Sequence, residues 1–155
     1  MWVKKMEFKY TVYDEKETIE LAQNIESEHF PNMVICLNGD LGSGKTVFTK
    51  AFAGALGINE SVTSPTFNII KEYNDGELPL FHMDVYRLEG DIKELGIEDY
   101  YEKGGVTIIE WADMISDYLP EERLEIKIKV VDENTRVFVF KAYGRRYEEI
   151  CEAVL

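Results

Sequence analysis

The segment Gly39–Thr46 constrains the fold more than any other part of this sequence. It reads Gly-Asp-Leu-Gly-Ser-Gly-Lys-Thr and satisfies the pattern G-x-x-x-x-G-K-[ST] at every fixed position. In this pattern the glycines let successive backbone N–H groups converge on a phosphate. The lysine neutralises the β- and γ-phosphates, and the last hydroxyl ligates Mg²⁺. The sequence therefore predicts a nucleotide site built from Gly39, Asp40, Leu41, Gly42, Ser43, Gly44, Lys45 and Thr46.

The flanks of this loop supply the context that the motif needs. Residues 33–37 form a continuous apolar run, which is typical of a strand buried on both faces. After the loop, apolar residues recur at helical spacing until Gly57, which predicts a helix with a glycine stop. A strand, a glycine loop and a helix in that order direct the positive end of the helix at a phosphate.

The remaining pattern predicts an α/β fold: a P-loop NTPase-like mixed sheet, with central parallel strands flanked by helices and with antiparallel hairpin additions. Alternating or continuous apolar runs predict strands, and 3.6-residue periodicity predicts helices. The predicted strands are 8–13, 33–37, 67–73, 78–83, 106–109, 124–131 and 137–142, and the other predicted helices are 14–27, 91–101 and 145–155.

Composition limits the classes of protein to which the chain can belong. Its 155 residues suit a single domain spanning 1–155, with no apolar run long enough for a membrane span and no secretory signal. A net charge of −13 argues against broad nucleic-acid binding, although it is compatible with a basic protein partner. The two cysteines, Cys36 and Cys151, are expected to be inert thiols, and we expect a cytoplasmic location.

Two acidic residues follow predicted strands at the edge where the loop is expected. Asp84 comes after the run 80–83, and Glu110 comes after the run 106–109. Carboxylates at such strand ends hold the metal ion or orient the attacking water, so Lys45, Asp84 and Glu110 are the catalytic candidates. An ordinary strand-end carboxylate is the alternative interpretation of each. Which carboxylate would hold metal and which would polarise water stays open.

Three further features sit between or beside these strands. Ser64, Pro65, Thr66 and Phe67 form either a switch-type loop that senses the γ-phosphate or a capped turn that leads into a strand. His82 lacks a second His or Cys at ligand spacing, so we expect a structural hydrogen bond and no zinc site. Arg87 either organises the carboxylates, the interpretation we favour, or stabilises transferred charge as an arginine finger.

Four motifs together resemble one known family. They are the P-loop G-D-L-G-x-G-K-T, then S-P-T-[FY] at 64–67, H-x-D-x-Y-R at 82–87, and E-W at 110–111. In this order and spacing the chain resembles the bacterial TsaE (YjeE) family over nearly its whole length. That resemblance implies a small ATPase, with ATP and Mg²⁺ as cofactors, that is required for threonylcarbamoyladenosine formation on tRNAs reading codons that begin with A.

The resemblance also implies partners and residue roles. The ATPase would act with the TsaD–TsaB complex, in which TsaD transfers the threonylcarbamoyl group, so tRNA is met only indirectly. Thr46 and Glu110 would serve Mg²⁺, and Asp84 would lie by the metal and the nucleophile. Trp111 would serve nucleotide closure or partner contact, with packing at the strand end as the alternative. The base would lie near Glu15 at the first helix and near a late hairpin that carries Asn134 and Arg136.

Two other classes compete with this interpretation. A GTPase is disfavoured because the chain contains neither N-K-x-D nor D-x-x-G. A small-molecule kinase would need an arginine-rich lid, and the five arginines do not cluster between the P-loop and Glu110. An ATP-sensing switch or adaptor stays open, because switching and hydrolysis use the same residues.

Overall fold

A computed structural model of the protein describes residues 5–65, 69–86 and 95–155. Within these residues, seven strands form one sheet in the order β1-β7-β6-β2-β5-β4-β3. The strands are β1 Lys5–Val12, β2 Met33–Gly39, β3 Ile70–Tyr73, β4 Leu80–Asp84, β5 Val106–Glu110, β6 Arg123–Val130 and β7 Arg136–Tyr143. The α-helices are α1 Glu15–Glu26, α2 Lys45–Ala55 and α3 Arg145–Val154.

The centre of the sheet is parallel and its margins are antiparallel, which confirms the predicted mixed sheet. Strand β2 pairs in parallel with both β5 and β6, and β4 pairs in parallel with β5. On one side, β7 pairs antiparallel with both β1 and β6, and on the other side β3 is antiparallel to β4. Parallel strands end at the same edge, so the loop after β2 meets the ends of β4 and β5 there.

Apolar side chains fill both faces of this sheet. On one face, α1, α2 and α3 pack over a core that includes Phe48, Phe52, Phe138 and Phe140. On the other face, short 3₁₀ helices at Ile97–Glu102 and Ala112–Tyr118 cover a smaller cluster. Strand β2 is buried along nearly its whole length because it is covered from both sides, as its uninterrupted apolar sequence predicts.

The start of α1 is fixed by a local cap. The Asp14 carboxylate accepts a hydrogen bond of 2.8 Å from the backbone N–H of Glu17, and the Glu17 side chain accepts one of 3.1 Å from the N–H of Tyr13. The first bond satisfies an N–H group that the first helical turn leaves free, and the second ties the residue before the cap to that turn. The cap places Glu15 at the same edge of the sheet as the loop after β2.

Several element boundaries differ from the sequence prediction. Strand β1 begins three residues earlier than expected, and β4 includes Asp84 at its end. Of the predicted helix 91–101, the structure describes only residues from 95 onward. There the chain forms the 3₁₀ helix Ile97–Glu102, which follows Gly96 with its φ of 64°. The 3₁₀ helix Ala112–Tyr118 was not predicted. Residues 66–68 and 87–94 lie outside the described residues, so the start of the predicted strand 67–73 is untested.

Both cysteines are buried and unpaired with each other, in agreement with the expected inert thiols. Burial raises the pKa of the Cys36 thiol and raises that of Cys151 to about 12. Thiolate is the reactive form of cysteine, and a raised pKa suppresses it. Among the described residues, no helix has the length and apolar character needed to cross a bilayer.

Candidate functional site

Glycines shape the loop after β2. Gly42 has a φ of 77° and Gly44 a φ of 113°, a region that residues with a side chain rarely adopt. Gly39 is required for a different reason: a Cβ there would lie 2.7 Å from Ser43 Oγ and 2.9 Å from the carbonyl oxygen of Ile128. The loop therefore curls tightly against β6 and leads directly into α2.

Lys45, the first residue of α2, is folded back into this loop. It is 6% exposed, and its Nζ donates to the carbonyl oxygens of Gly39 at 2.5 Å and Asp40 at 3.1 Å. Burial lowers the pKa of the Lys45 amine, while the nearby carboxylates of Glu110 and Asp84 oppose that shift. The site therefore holds its amine at the centre of the glycine loop and close to two carboxylates.

Trp111 covers this lysine from the end of β5. Its φ of 62° is unusual for a residue with a side chain, and its backbone N–H donates to the carbonyl oxygen of Leu37 at 2.9 Å. The turn places the indole ring 4.2 Å from Lys45 Nζ, a cation–π distance, and the ring of Tyr86 packs on Trp111 with centroids 4.6 Å apart. Trp111 thus borders the loop pocket while it also packs against Tyr86.

The two predicted strand-end carboxylates are neighbours in the sheet. Asp84 and Glu110 pair in the parallel register of β4 and β5. Glu110 is 3% exposed, and its Oε2 accepts a 2.5 Å hydrogen bond from His82 Nε2. Burial raises the pKa of Asp84; the backbone N–H of Tyr86, which donates to Asp84 at 3.1 Å, opposes this shift, and Glu110 adds to it. The hydrogen bond expected for His82 is therefore present.

Lys45, Asp84, Glu110 and Trp111 line one pocket of about 250 Å³, which we call the phosphate-side pocket. An amine, a hydroxyl and two carboxylates converge there, a donor set suited to phosphate oxygens and to a small hard cation. Thr46 supplies the hydroxyl and is exposed, and Pro65 is the next residue after the wall residue Ser64. Thr66, Phe67 and Arg87 lie outside the described residues. The pocket is lined by Leu41, Gly42, Gly44, Lys45, Thr46, Val47, Ser64, Asp84, Glu110 and Trp111.

A second pocket of about 150 Å³ lies on the other side of the same loop. We call it the hairpin-side pocket because the turn between β6 and β7 forms one wall. It brings together Glu15, Asn134 and Arg136, which are far apart in sequence. Its lining is Asp14, Glu15, Thr18, Gly42, Ser43, Gly44, Val47, Glu133, Asn134 and Arg136.

Arg136 connects the glycine loop to the hairpin by hydrogen bonds, a role that its position in the sequence did not indicate. Its Nε donates to the carbonyl oxygen of Ser43 at 3.1 Å, and its Nη2 reaches that of Gly42 at 3.5 Å. Its Nη1 donates to the carbonyl oxygen of Asp132 at 2.8 Å. One guanidinium thus ties the glycine loop to the hairpin, because its planar fork can reach several acceptors at once.

Sequence reasoning missed other residues of the two pockets. Thr18 and Glu133 carry no sharp motif, and only the tertiary arrangement places them in the hairpin-side pocket. Tyr86 belongs to the motif at 82–87, but its packing against Trp111 was not predicted. The contact between His82 and Glu110 had a usable signal. Residues two apart on a strand share a face, so His82 and Asp84 both face the side of the sheet on which Glu110 lies.

The strand–loop–helix unit, the parallel strand order and the carboxylates at the neighbouring strand ends define a P-loop NTPase-like α/β fold. The family model "Threonylcarbamoyl adenosine biosynthesis protein TsaE" matches residues 12–138. The chain therefore belongs to the TsaE family, whose members take part in tRNA threonylcarbamoyladenosine biosynthesis.

Individual relatives agree with this assignment. The chain is 49% identical over 146 residues to the tRNA threonylcarbamoyladenosine biosynthesis protein TsaE of Bacillus subtilis, covering 94% of this chain and 92% of the relative. It is 37% identical over 126 residues to the Rickettsia bellii protein of the same name, covering 79% and 87%. The fold is similar to a crystal structure of Bacillus subtilis YdiB, with a TM-score of 0.82, 43% identity and coverage of 97% and 95%.

Proposed function

We propose that this protein binds ATP with Mg²⁺ and hydrolyses it in support of tRNA threonylcarbamoyladenosine formation. The observation that carries the proposal is the phosphate-side pocket, in which Lys45 and Thr46 of the loop face Asp84 and Glu110. A glycine loop alone binds phosphate. Carboxylates beside it add the means to orient water and to hold a cation, which hydrolysis requires.

In this mechanism the chain mainly positions and neutralises. The backbone N–H groups of residues 39–46 hold the phosphates, and Lys45 leaves its carbonyl partners to balance charge on the β- and γ-oxygens. Asp84 or Glu110 accepts a hydrogen bond from the attacking water and aligns it with the γ-phosphorus. Which carboxylate takes this role and which one ligates metal is left to experiment.

The residues of the pocket fit Mg²⁺. Thr46, Asp84 and Glu110 offer oxygen ligands, which Mg²⁺ prefers, and they line one pocket. Burial raises the pKa of Asp84, and a bound cation would favour the ionised carboxylate again. When bound, the ion would neutralise charge that develops on the transferred phosphoryl group.

The hairpin-side pocket is the proposed position of the nucleotide base. It adjoins the glycine loop and offers the acceptor Glu15 and the amide of Asn134. Arg136 would act there by holding the loop against the hairpin. ATP is favoured over GTP because the sequence lacks the GTPase motifs N-K-x-D and D-x-x-G.

The TsaD–TsaB complex is the proposed partner, in the cytoplasm, and tRNA would be reached only through that complex. A partner-dependent rate is expected if the complex acts on the segment that includes Ser64 before the γ-phosphate is attacked. Ser64 on the pocket wall and Trp111 at its edge are suitably placed to report such a change.

ATP turnover by the purified protein, with and without TsaD–TsaB, tests the proposal. We expect slow hydrolysis alone and a marked increase with the complex. A rate indifferent to the complex, accompanied by phosphate transfer to a small acceptor, would establish a kinase instead. ATP binding without hydrolysis under both conditions would establish a switch or adaptor.

A further inference from the structure

His82 and Glu110 form a hydrogen-bonded side-chain pair in the interior of the protein. The two side chains are 2% and 3% exposed, and His82 Nε2 lies 2.5 Å from Glu110 Oε2. In the described part of the chain, the other ring nitrogen, Nδ1, has no hydrogen-bond partner. Glu110 is therefore the polar group to which this buried ring is matched.

The tautomer follows from the chemistry of the acceptor. A carboxylate oxygen accepts, so we assign the ring proton to Nε2. Nδ1 then carries a lone pair. An unmatched acceptor is tolerated better than an unmatched N–H, which would exist at Nδ1 in the other tautomer.

This hydrogen bond can orient the carboxylate of Glu110. The terminal torsion of a glutamate is broad and roughly two-fold, so packing alone does not fix the plane of its carboxylate. A donor on the neighbouring strand does fix that plane. His82 is held by the pairing of β4 with β5, in which His82 lies opposite Ile108 and Asp84 lies opposite Glu110. The same two strands thus set the spacing of both carboxylates.

We propose that His82 is a positioning residue that holds the Glu110 carboxylate in the orientation required at the phosphate-side pocket. The inference rests on the proposed ATPase function and gives that site a residue beyond its phosphate and metal ligands. His82 does not line the pocket itself, so it acts through Glu110. Partners of this kind orient functional side chains and alter activity by about 10- to 100-fold when they are removed.

Two substitutions separate positioning from packing. His82→Gln keeps an N–H donor at nearly the reach of Nε2, whereas His82→Leu keeps the volume and removes the donor. The matched control is His29→Leu, which removes the other described imidazole, a ring that contacts Glu26 far from both pockets. All three variants are compared with the wild-type protein in three measurements. These are thermal unfolding, binding of a fluorescent ATP analogue in EDTA and in Mg²⁺, and ATP turnover with TsaD–TsaB.

For His82→Leu we expect kcat to fall by about 10- to 100-fold. KM, and the affinity for the ATP analogue measured in EDTA, should stay within about 3-fold of wild type. The gain in affinity on adding Mg²⁺ should shrink in parallel. His82→Gln should recover most of both losses, and His29→Leu should match wild type. Equal losses in the Gln and Leu variants would overturn the proposal, as would a wild-type kcat in His82→Leu or an EDTA affinity that falls as far as kcat.

Failure of the proposed ATPase would be distinguishable. A wild-type protein that binds the analogue but does not hydrolyse ATP with TsaD–TsaB overturns hydrolysis. The gain in affinity for the ATP analogue on adding Mg²⁺ then tests whether His82 positions Glu110. A reduced gain in the Leu variant that the Gln variant restores supports positioning, and an unchanged gain overturns it.

Discussion

The two pockets beside the glycine loop are built in different ways. The phosphate-side pocket draws its acidic groups from adjacent parallel strands, and its key side chains, Lys45 and Glu110, are buried among fixed partners. The hairpin-side pocket is made by the first turn of α1 and the tip of the β6–β7 hairpin, where Glu15 and Asn134 are exposed. The phosphate-side pocket is therefore bounded by the central sheet. The hairpin-side pocket is bounded by surface elements that Arg136 ties to the glycine loop.

This difference suggests a division of labour. Groups that act on charge in a transition state must be oriented before the reaction, and buried strand ends provide that orientation. Groups that only bind a base can lie on exposed elements, because their contribution is affinity. Substitution of the strand-end carboxylate Glu110 should therefore alter kcat, and substitution of the phosphate-binding Lys45 should alter affinity. Substitutions on the hairpin side should alter affinity and stability without a large change in kcat.

Glu110→Gln should have the largest effect. The amide oxygen can still accept from His82, so the fold and ATP affinity should persist, while loss of the charge lowers turnover by about 100- to 1,000-fold. Turnover with TsaD–TsaB and binding of an ATP analogue measure the two quantities. Exposed Glu102→Gln is the control. Normal hydrolysis by the Glu110 variant would remove Glu110 from the catalytic assignment.

Lys45→Ala should weaken binding itself, by about 100-fold, because charge-assisted hydrogen bonds to the phosphates are lost. Titration of a fluorescent ATP analogue measures this change. Lys50→Ala, on the exposed side of the same helix, should bind normally. If both variants bind alike, the loop does not use its lysine for the nucleotide.

Arg136→Ala should act on the hairpin side, with about 10-fold weaker ATP binding and roughly 1–2 kcal/mol lower stability, because several carbonyls lose their donor. Arg136→Lys should be nearly as damaging, since an ammonium cannot reach both the loop and the hairpin. The control is Arg145→Ala, which removes one exposed ion pair with Glu149. Denaturant unfolding and kcat decide the matter: a large kcat loss at saturating ATP would contradict the division of labour.

Asp84→Asn should have the smallest effect on the free energy of unfolding, opposite in sign to that of Arg136→Ala. Burial raises the pKa of Asp84 above its ordinary value of 3.8. The stability associated with this shift is complete below that ordinary value and is lost as pH rises through the folded-state pKa. Asparagine avoids the loss, so the variant should melt above wild type at pH 7 and this advantage should shrink by about pH 4. An advantage that does not depend on pH would show that the buried charge is not its cause.

Much of the phosphate side could be predicted from the sequence. The residues between Met33 and Gly57 encode strand, loop and helix without a break, and Asp84 and Glu110 follow largely apolar runs that are typical of inner strands. Parallel strands end at one edge, so their meeting required no further information. The short 3₁₀ segments were harder to predict, because Ala112–Tyr118 has no strong period and begins at the left-handed Trp111.

By itself, the sequence determined the glycine loop, the acidic residues that follow the inner strands and the family to which the chain belongs. These features depend on local patterns and fixed spacings. The tertiary structure decided what long-range pairing controls. Antiparallel pairing of β7 with β6 and parallel pairing of β6 with β2 bring Arg136 to Ser43, 93 residues away in the chain. Parallel pairing of β4 with β5 brings His82 to Glu110. Each contact exists only after separate strands have found their register, although the two-residue spacing of His82 and Asp84 already places both on one face of β4.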